Sequence, residues 1–487
     1  IYTLSLHDAL PIYLLSSYPN IRSFSAANII DKDATWSYAS EWTLASFLGR
    51  VAYDYESKYL ISANMRADGS SKFAPGKRWG VFPSFSAGWR ISSESFMAGT
   101  ADVISDLKLR AGWGLNGNQE GIGNYSWRAQ YAAGRIPPTT DNSLPGLSLY
   151  LKTPGNRELT WEKTTQTNVG IDLSMFNSRL IFTFDAYYKY TKDMLLTVYL
   201  PSYANIPGGI ARNDAEMKNK GLEIAVSARS IDAKNFKWNT DFNISFNKNE
   251  VTKLGLNKVY YYATTYTTEQ PAIILKEGNS LGTFYGYVSK GVDPETGNII
   301  YEDRNENGII DPEDRTKIGD AQPLFVFGLT NTFSYANFNL SVFFQGSYGN
   351  DIFNASKIDM TGMMDFRNQS TDVLKRWKRP GMVTEVPRPG NIENIYNSSR
   401  FVEDGSYLRL KNITLSYDFS PKFNFLKKAG IRKLQPYITA QNLWTWTKYS
   451  GYDPEVNAYD ASAVELGVDY GTYPQNKSVI FGLNVEF

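Results

Sequence analysis

One segment of the chain has residue types and spacing that match a metal-binding loop. From Asp303 to Asp314 the sequence follows the pattern D-x-N-x-N-G-x-I-D-x-x-D. In EF-hand-like loops, oxygen ligands stand at positions 1, 3, 5, 7, 9 and 12, and a glycine at position 6 permits a sharp turn. The sequence therefore predicts a Ca²⁺ site. Its expected ligands are Asp303, Asn305, Asn307, the backbone carbonyl of Ile309, Asp311 and Asp314.

This segment also has an alternative interpretation. Position 12 carries Asp in place of a bidentate Glu, and positions 3 and 5 carry neutral Asn, so we expect a modest affinity for calcium. A modest site would still be filled outside the cell. Asn and Asp also stabilise turns by bonding to nearby backbone groups. The segment could therefore be a polar, turn-rich loop that holds no metal.

Composition excludes several other kinds of chemistry. The chain has no Cys and a single His, His7, so disulfides, Cys-ligated zinc and thiol nucleophiles are excluded. Residues 1–12, which contain that His, share no pattern with the rest and resemble a translated sequencing adapter; we interpret them as a non-native segment. Without them, Ser-His-Asp catalysis is excluded as well. No constellation of Lys, Asp, Glu or Tyr indicates an enzyme.

Charge and hydropathy narrow the class of protein further. Lys and Arg number 50 against 49 for Asp and Glu, so no net field attracts nucleic acid. The chain holds 33 Tyr, 27 Phe and 11 Trp, yet its mean hydropathy is −0.37. No stretch approaches the ~20 apolar residues of a membrane-spanning helix. Such a composition is typical of strands that alternate between two environments.

Polar and apolar residues alternate in many segments of the chain. Side chains on a strand point to alternate faces, so each segment has one apolar and one polar face. The runs reach about nine to eleven residues, the length that a tilted strand needs to cross a bilayer. This pattern predicts an all-β, antiparallel transmembrane β-barrel, with a large soluble β-protein as the alternative. The clearest runs are Thr167–Met175, Leu180–Tyr190 and Trp238–Phe246.

The connections between these runs are of two kinds. Short polar turns are predicted at Glu56-Ser57, Asn177-Ser178 and Ala336-Asn337. Long connections are predicted at Asn116–Thr160, Asn249–Gly282 and Gly349–Ser406. Short turns on one side and long loops on the other are typical of outer-membrane barrels, whose long loops lie outside the cell. We count about 14 to 16 strands.

Aromatic residues near the ends of the predicted strands suggest two roles. Trp161, Tyr187, Tyr188, Trp238 and Tyr417 fit the aromatic girdle at a membrane interface. A second group lies in a predicted long loop, where its rings could stack on a sugar and bind substrate, although a girdle role is equally open. This second group is Tyr260, Tyr261, Tyr262 and Tyr266.

The last ten residues form another alternating run. One face is apolar, and its final residue is aromatic. Such a strand resembles the signal that the outer-membrane barrel assembly machinery recognises. We therefore predict an assembly signal at Phe481, Leu483, Val485 and Phe487.

Several motifs stand in a fixed order along the chain. They are Leu48-Gly-Arg50 with Tyr53-Asp-Tyr55, Arg66-Ala-Asp-Gly-Ser-Ser-Lys-Phe73, Trp79-Gly-Val-Phe-Pro-Ser84, Leu109-Arg-Ala-Gly-Trp113, Leu159-Thr-Trp-Glu162, Asn168-Val-Gly-Ile-Asp172, Asn219-Lys-Gly-Leu-Glu223, Phe401-Val-Glu-Asp-Gly-Ser-Tyr-Leu-Arg-Leu-Lys411, Gln441-Asn-Leu-Trp-Thr-Trp446 and Gly451-Tyr-Asp-Pro-Glu455. Together they resemble the SusC/RagA family of TonB-dependent outer-membrane transporters of Bacteroidetes, and the resemblance extends from about Leu44 to Phe487.

The resemblance implies a function in uptake. Family members import oligosaccharides, or in some cases peptides, with a SusD-like surface lipoprotein and with energy from TonB–ExbB–ExbD. A calcium site in an external loop would fit the family. A siderophore or vitamin B12 receptor is a second reading, which the SusC-type motifs disfavour, and a surface adhesin is a third.

The resemblance also implies that part of the family's architecture is missing from the sequence. Such transporters have plugged barrels of ~22 strands. The family's signal peptide, carboxypeptidase-like domain, TonB box and plug have no counterpart here. We therefore expect residues 13–487 to form an incomplete barrel, embedded in outer-membrane lipid, with long extracellular loops and without the plug and first strands.

Overall fold

The computed structural model describes residues 39–135, 147–204, 206, 208–419, 428, 430–459, 462 and 464–487. The predicted non-native segment 1–12, with His7, lies outside these residues. The strands are β1 (Leu44–Tyr55), β2 (Tyr59–Ser70), β3 (Trp79–Arg90), β4 (Ile104–Asn118), β5 (Gln130–Arg135), β6 (Leu147–Thr153), β7 (Glu162–Met175), β8 (Leu180–Val198), β9 (Ile210–Asp232), β10 (Phe236–Leu254), β11 (Val259–Thr264), β12 (Pro271–Lys276), β13 (Thr283–Gly286), β14 (Ser289–Val292), β15 (Ile299–Tyr301), β16 (Thr316–Asp320), β17 (Phe325–Tyr335), β18 (Phe338–Tyr348), β19 (Asp351–Asn354), β20 (Val402–Asp404), β21 (Tyr407–Tyr417), β22 (Lys433–Thr447), β23 (Val468–Asp469) and β24 (Ser478–Glu486).

Helices are few and short. The α-helix α1 spans Ala355–Gly362, and 3-10 turns span Ile91–Ser93, Ser95–Thr100, Ser202–Ala204, Pro312–Asp314, Thr371–Lys375, Ile392–Ile395 and Ser399–Phe401. In the part of the chain that the structure describes, none of these helices has the length and apolar character needed to span a membrane.

Thirteen strands form one antiparallel sheet, which we call the wall. Its strand order is β1-β2-β3-β4-β7-β8-β9-β10-β17-β18-β21-β22-β24. Each wall strand pairs with the next wall strand along the chain, which is the topology of a meander, and four of the connections contain strands that lie outside the wall. The prediction of a large antiparallel β-structure is therefore confirmed. The wall holds fewer strands than we counted from the sequence, because several alternating segments belong to smaller sheets.

The wall has one apolar and one polar face, and its apolar face is exposed. In β7, Val169 is 53% exposed, and in β24 Phe481 is 78% and Leu483 58% exposed. Large apolar surfaces of this kind are rare on soluble monomers. They are expected where the outer face of a barrel meets hydrocarbon.

The turns at one edge of the wall are short, as predicted. Glu56 and Ser57 have φ angles of 50° and 55°. Two successive residues with positive φ make the type I′ turn, whose twist suits a two-residue hairpin. Asp54 accepts a hydrogen bond from the Ser57 N–H at 2.7 Å and stabilises this turn. The other predicted short turns also join neighbouring wall strands, β7 to β8 and β17 to β18.

The opposite edge of the wall carries the long connections, and three of them pack together. We call the described residues of 255–324, 349–406 and 448–477 the loop body. It contains a four-stranded sheet, β11-β12-β13-β16, and a three-stranded sheet, β20-β19-β23. Its shared core buries side chains from all three connections, among them Ile273, Phe284, Phe353, Ile358, Ile395, Phe401 and Val468.

The predicted long connections contain strands of their own. The segment predicted as a loop at Asn249–Gly282 begins inside β10 and then forms β11 and β12. These strands pair with one another and with β13, and they bury Ile273 completely. Their core depends on contacts with segments that lie far away in the sequence. The alternation of polar and apolar residues within one segment does not indicate those contacts.

Candidate functional site

A cavity of about 860 Å³ lies between the wall and the loop body. Residues from both faces of β7, β8, β9 and β10 line one side of it, and loop-body residues 278–280, 317, 320 and 322–324 form its roof. The lining combines apolar, uncharged polar and charged residues. Among them are Val169, Leu222, Phe246, Asn247, Lys248 and Gln322.

Tyr187 is an aromatic residue on the polar face of the wall, next to this cavity. Strand register places Asn168, Tyr187, Gly221 and Asn247 in one row across four strands. The Tyr187 hydroxyl donates a hydrogen bond to Asn247 Oδ1 at 3.0 Å. A Cβ on Gly221 would be 2.4 Å from the Tyr187 hydroxyl, so only glycine leaves room for the ring. The ring is therefore held against the sheet by its neighbours.

The next row of the polar face adds a cation and more carboxamides. Gln166, Lys189, Asn219 and Asn249 are paired across the same four strands. The Lys189 ammonium lies 4.8 Å from the centre of the Tyr187 ring. Carboxamides both donate and accept hydrogen bonds, so this surface can match groups that do the same.

Backbone contacts hold the roof on the wall. The Val251 N–H donates to the Asn279 carbonyl at 2.9 Å, and the Gly278 N–H donates to the Val251 carbonyl at 2.8 Å. The Leu281 N–H donates to Asn249 Oδ1 at 2.8 Å. These bonds extend the β10 ladder into the loop body and fix the height of the cavity.

The charged groups of the roof neutralise one another. Lys317 Nζ lies 2.7 Å from Asp320 Oδ2, which also accepts a hydrogen bond from the Ser280 hydroxyl. Gln322 Nε2 donates to the Leu281 carbonyl at 3.1 Å. The roof therefore presents hydroxyl and amide groups to the cavity without a free charge from this ion pair.

Two members of the predicted aromatic girdle do not face the membrane. Tyr187 lies on the polar face, because adjacent residues of a strand point to opposite sides and Tyr188 takes the outer one. Trp161 is only 5% exposed and packs with Phe73 and Leu159. The sequence did contain a signal for Tyr187, since it shares its face with Asp185 and Lys189.

An ion network joins three strands on the polar face. Arg110 in β4 contacts Asp172 in β7 at 2.7 and 2.9 Å and Asp185 in β8 at 3.0 Å. A Cβ on Gly170 would be 2.4 Å from Asp185 Oδ1, so the glycine makes room for the pair. Lumen groups of this kind tune the selectivity of a barrel.

A second ion cluster lies where the wall meets the loop body. Arg409 in β21 is 1% exposed, and its guanidinium contacts Asp453 Oδ1 at 2.6 Å and also Glu455. Tyr407 donates to Glu455 Oε1 at 2.9 Å. Two sequence motifs that are distant in the chain, residues 401–411 and 451–455, therefore meet at one buried cluster. It fixes the loop between β22 and β24 on the wall.

The predicted calcium loop lies in the loop body, between β15 and β16. Gly308 has a φ of 82°, as the glycine of a sharp turn requires. Its N–H donates to Asp303 Oδ2 at 2.7 Å, and the Asn307 N–H donates to Asn305 Oδ1 at 3.1 Å. Asn307 Oδ1 accepts from the Ile309 N–H at 2.8 Å. The loop is thus closed on its own side-chain oxygens.

Asp314 closes the loop from its far end. It is fully buried and accepts backbone hydrogen bonds from Arg304 at 2.7 Å and Asp311 at 2.9 Å. These backbone N–H groups hold the pKa of the Asp314 carboxyl below its usual value, and the N–H group of Asp311 has the largest effect. Among the described residues, no three His, Cys, Asp or Glu side chains converge on a metal-sized space. Calcium would therefore also need Asn amide oxygens and the Ile309 carbonyl.

The four predicted substrate-binding tyrosines do not form one surface. Tyr260 and Tyr262 stack on each other, with ring centres 6.5 Å apart, on one face of β11. Tyr261 lies on the other face, 5.5 Å from Tyr285, whose pKa burial raises to about 12. Tyr266 is 79% exposed. Sugar binding by these residues stays a prediction.

The C-terminal strand has the expected alternation. β24 pairs with β22, and its Phe481 lies opposite Ile438. The side chains of the predicted assembly signal are exposed, and Phe487 itself is 74% exposed. An outward apolar face fits the predicted signal, and recognition by the assembly machinery stays a prediction.

Comparisons with known proteins agree with this architecture. Residues 13–443 match the family model described as TonB dependent receptor-like, beta-barrel. The chain is 35% identical to TonB-dependent receptor P3 of Formosa agariphila, over 93% of this chain and 46% of that protein. It is 31% identical to TonB-dependent receptor SusC of Bacteroides thetaiotaomicron, over 93% of this chain and 44% of that protein.

Solved structures give the same result. The RagAB peptide transporter matches with a TM-score of 0.79 and 25% identity, over 93% of this chain and 48% of that chain. A RagAB peptide importer in the "closed-closed" state matches with a TM-score of 0.80. This chain spans about half the length of the relatives that it matches. It belongs to the TonB-dependent receptor β-barrel family of the outer membrane, among the SusC- and RagA-like members.

Proposed function

We propose that the protein takes part in TonB-dependent import of an oligosaccharide, or alternatively a peptide, across the outer membrane. The observation that carries this proposal is the match over most of the chain to SusC- and RagA-like TonB-dependent receptors. A wall whose polar face carries carboxamides and an ion network agrees with it. TonB–ExbB–ExbD would supply the energy for release.

A SusD-like surface lipoprotein is the proposed partner. RagAB is named as a peptide transporter, and its structure is similar to this chain. The loop body stands at the wall edge that would face outward, where a lipoprotein can reach it. A tag on the chain should co-purify one lipoprotein from outer membranes. Purification without any lipoprotein would contradict the partnership.

Growth of a deletion strain tests the import function. The strain would be grown on single polysaccharides, on peptide mixtures, and under limitation of iron or vitamin B12. We expect loss of growth on one glycan, or on peptides in the alternative. A defect confined to iron or vitamin B12 limitation would favour the siderophore or vitamin receptor instead. Unchanged growth together with altered adhesion would favour a surface adhesin.

We also propose that the loop 303–314 binds Ca²⁺. Support comes from its closed shape, from the sharp turn at Gly308, and from oxygens of both charged and neutral side chains. A hard cation prefers six to eight such oxygens. Bound calcium would supply a fixed positive charge that holds the loop in one conformation.

Calorimetric titration with Ca²⁺ tests this site. Asp303→Asn removes one charge at a ligand position, and we expect it to weaken binding about tenfold or more. Glu306→Gln removes one charge from the same loop at a position that supplies no ligand, and it serves as the matched control. Equal effects of the two substitutions, or none, would contradict the site.

A further inference from the structure

The cavity beside the wall lies mainly along the outer, apolar face of the sheet, and we call this part of it the outer groove. A complete row of paired apolar residues on that face lines it. This row is Val169, Ala186, Leu222 and Phe246. Three of the four side chains are more than a third exposed. The polar face contributes only residues that alternate with the outer ones, and Lys189 on that face does not line the cavity.

The next outer row towards the loop body carries two lysines side by side. Tyr188 pairs with Lys220, and Lys220 pairs with Lys248, so the three side chains share the outer face. Both lysines are exposed and line the groove. Like charges directly opposite each other destabilise a sheet. The lipid-facing surface of a barrel also disfavours lysine, except near the membrane interface. An anion held between the two ammonium groups would relieve both effects.

The protein itself does not neutralise these two lysines. The carboxylate of the following row, Glu250, contacts Lys218 Nζ at 2.7 Å. The ion pair of the roof is also complete, with 2.7 Å between its atoms. Within the described part of the chain, neither Lys220 nor Lys248 forms an ion pair. The groove therefore has an excess of positive charge directly beside an apolar surface.

The two lysines lie at the expected height of a membrane surface. Tyr188 is eight residues from Leu180, where β8 begins after its short turn. At about 3.3 Å per residue and a tilt of about 40°, this separation is about 20 Å along the barrel axis. The apolar band of such a barrel is about 25 Å tall, and aromatic residues mark its borders. The row of Tyr188 is therefore near the border on the side of the loop body, where lipid head groups begin.

We propose that the outer groove binds a membrane lipid with a phosphorylated head group, from the leaflet on the side of the loop body. The phosphate lies between Lys220 and Lys248, because a lysine ammonium binds phosphate as a point charge. An acyl chain packs along the apolar row and covers it. Residues 278–280 and 322–324 of the roof border the groove beside the lysines, so the head group also contacts the loop body.

Lipid binding to the intact protein, purified from outer membranes and freed of lipid in detergent, tests this site by native mass spectrometry. The probes are lipid A with its phosphates, the same lipid without them, and inorganic phosphate. We expect phosphorylated lipid A to bind at least about tenfold more tightly than the other two. Lys220→Gln combined with Lys248→Gln should weaken its binding about tenfold or more.

A matched control removes two charges at the other end of the same two strands. Lys234→Gln combined with Lys237→Gln changes exposed lysines at the short turn between β9 and β10, and lipid binding should stay normal. Leu222→Ala shortens the apolar row and should weaken binding about threefold. Heat-dependent gel mobility shows that each variant has folded.

Four results would overturn the site. Equal binding of lipid A with and without phosphates would exclude recognition of the phosphate. Equal binding by the two double variants would exclude the role of Lys220 and Lys248. Inorganic phosphate that binds as tightly as the lipid would indicate an anion site without a lipid. Unchanged binding by the Leu222→Ala protein would exclude an acyl chain on the apolar row.

Discussion

Val169 in the wall is 53% exposed, whereas Phe353 in the loop body is fully buried, although both are apolar residues of β-strands. The wall is one layer thick, so its outer apolar face has no protein to pack against. The loop body has several layers and buries its apolar residues in a shared core. Apolar side chains therefore stabilise the two regions through different surroundings, lipid in the wall and protein in the loop body.

The junction between the two regions should show the largest effect of a single substitution. Arg409→Ala leaves the buried Asp453 without its cation and leaves Glu455 with Lys411 alone, which costs about 3–5 kcal/mol. Urea unfolding in lipid vesicles, followed by tryptophan fluorescence, measures the loss. Lys411→Ala removes a partly exposed cation that lies 3.4 Å from the same Glu455, and we expect about 1 kcal/mol or less. Equal losses would contradict a special role for the buried cluster.

Within the loop body, burial should decide the cost of losing an aromatic ring. Phe353→Ala opens a cavity in the shared core, and we expect a loss of about 3–5 kcal/mol in the stability of the loop body. Limited proteolysis would report this loss as faster cleavage in the loops, with the wall still resistant. Phe366 is fully exposed in the same region, so Phe366→Ala should change stability by about 0.5 kcal/mol or less. Similar cleavage of both variants would argue against a common core.

Within the wall, the face of a residue should decide the cost of a new charge. Val169→Arg places a guanidinium on the outer face, where we expect a loss of about 2–4 kcal/mol if the site is near the bilayer midplane. Asn168→Arg places the same group on the polar face and should cost much less. The fraction of protein that folds into vesicles, read from heat-dependent gel mobility, measures both. A larger loss for Asn168→Arg would reverse the assignment of faces.

Acid should loosen the loop 303–314 and leave the wall intact, which is the smallest effect we predict. Backbone N–H groups hold the pKa of Asp314 below its usual value of 3.8. A carboxyl with a depressed pKa in the folded state contributes stability above that usual value. The contribution is lost as the pH falls through the folded pKa. Proteolysis of this loop in the pH range below 4 should therefore increase, and Asp314→Asn should remove the pH dependence. If acid still increases proteolysis of this loop in the Asp314→Asn protein, protonation of Asp314 is not the cause.

The wall could be predicted from the sequence because its information is local. The alternation of polar and apolar residues in a run such as Thr167–Met175 indicates which residues share a face, without any information about the neighbouring strand. The short turns were equally visible, since Glu56 and Ser57 stand between two such runs. The motif at 303–314 was found in the same way, because its spacing lies within twelve consecutive positions.

The loop body and the cavity could not be predicted, since they depend on contacts between distant segments. The ring centres of Phe353 and Phe284 lie 5.9 Å apart, and neither local sequence indicates that the two residues are in contact. The roof depends on the bond between Leu281 and Asn249, which lie in different elements. The position of Tyr187 on the polar face could have been predicted from the alternation. We assigned Tyr187 to the girdle because it is an aromatic residue near a strand end.

Site-directed spin labelling would show whether the two faces of the wall meet different media. The chain has no Cys, so a single introduced cysteine defines the label position. Labels at Val169→Cys and Asn168→Cys would be compared in lipid vesicles for collisions with oxygen and with a water-soluble nickel complex. We expect a label at 169 to collide with oxygen but not with nickel, and a label at 168 to collide with nickel. Equal access of nickel to both labels would contradict it.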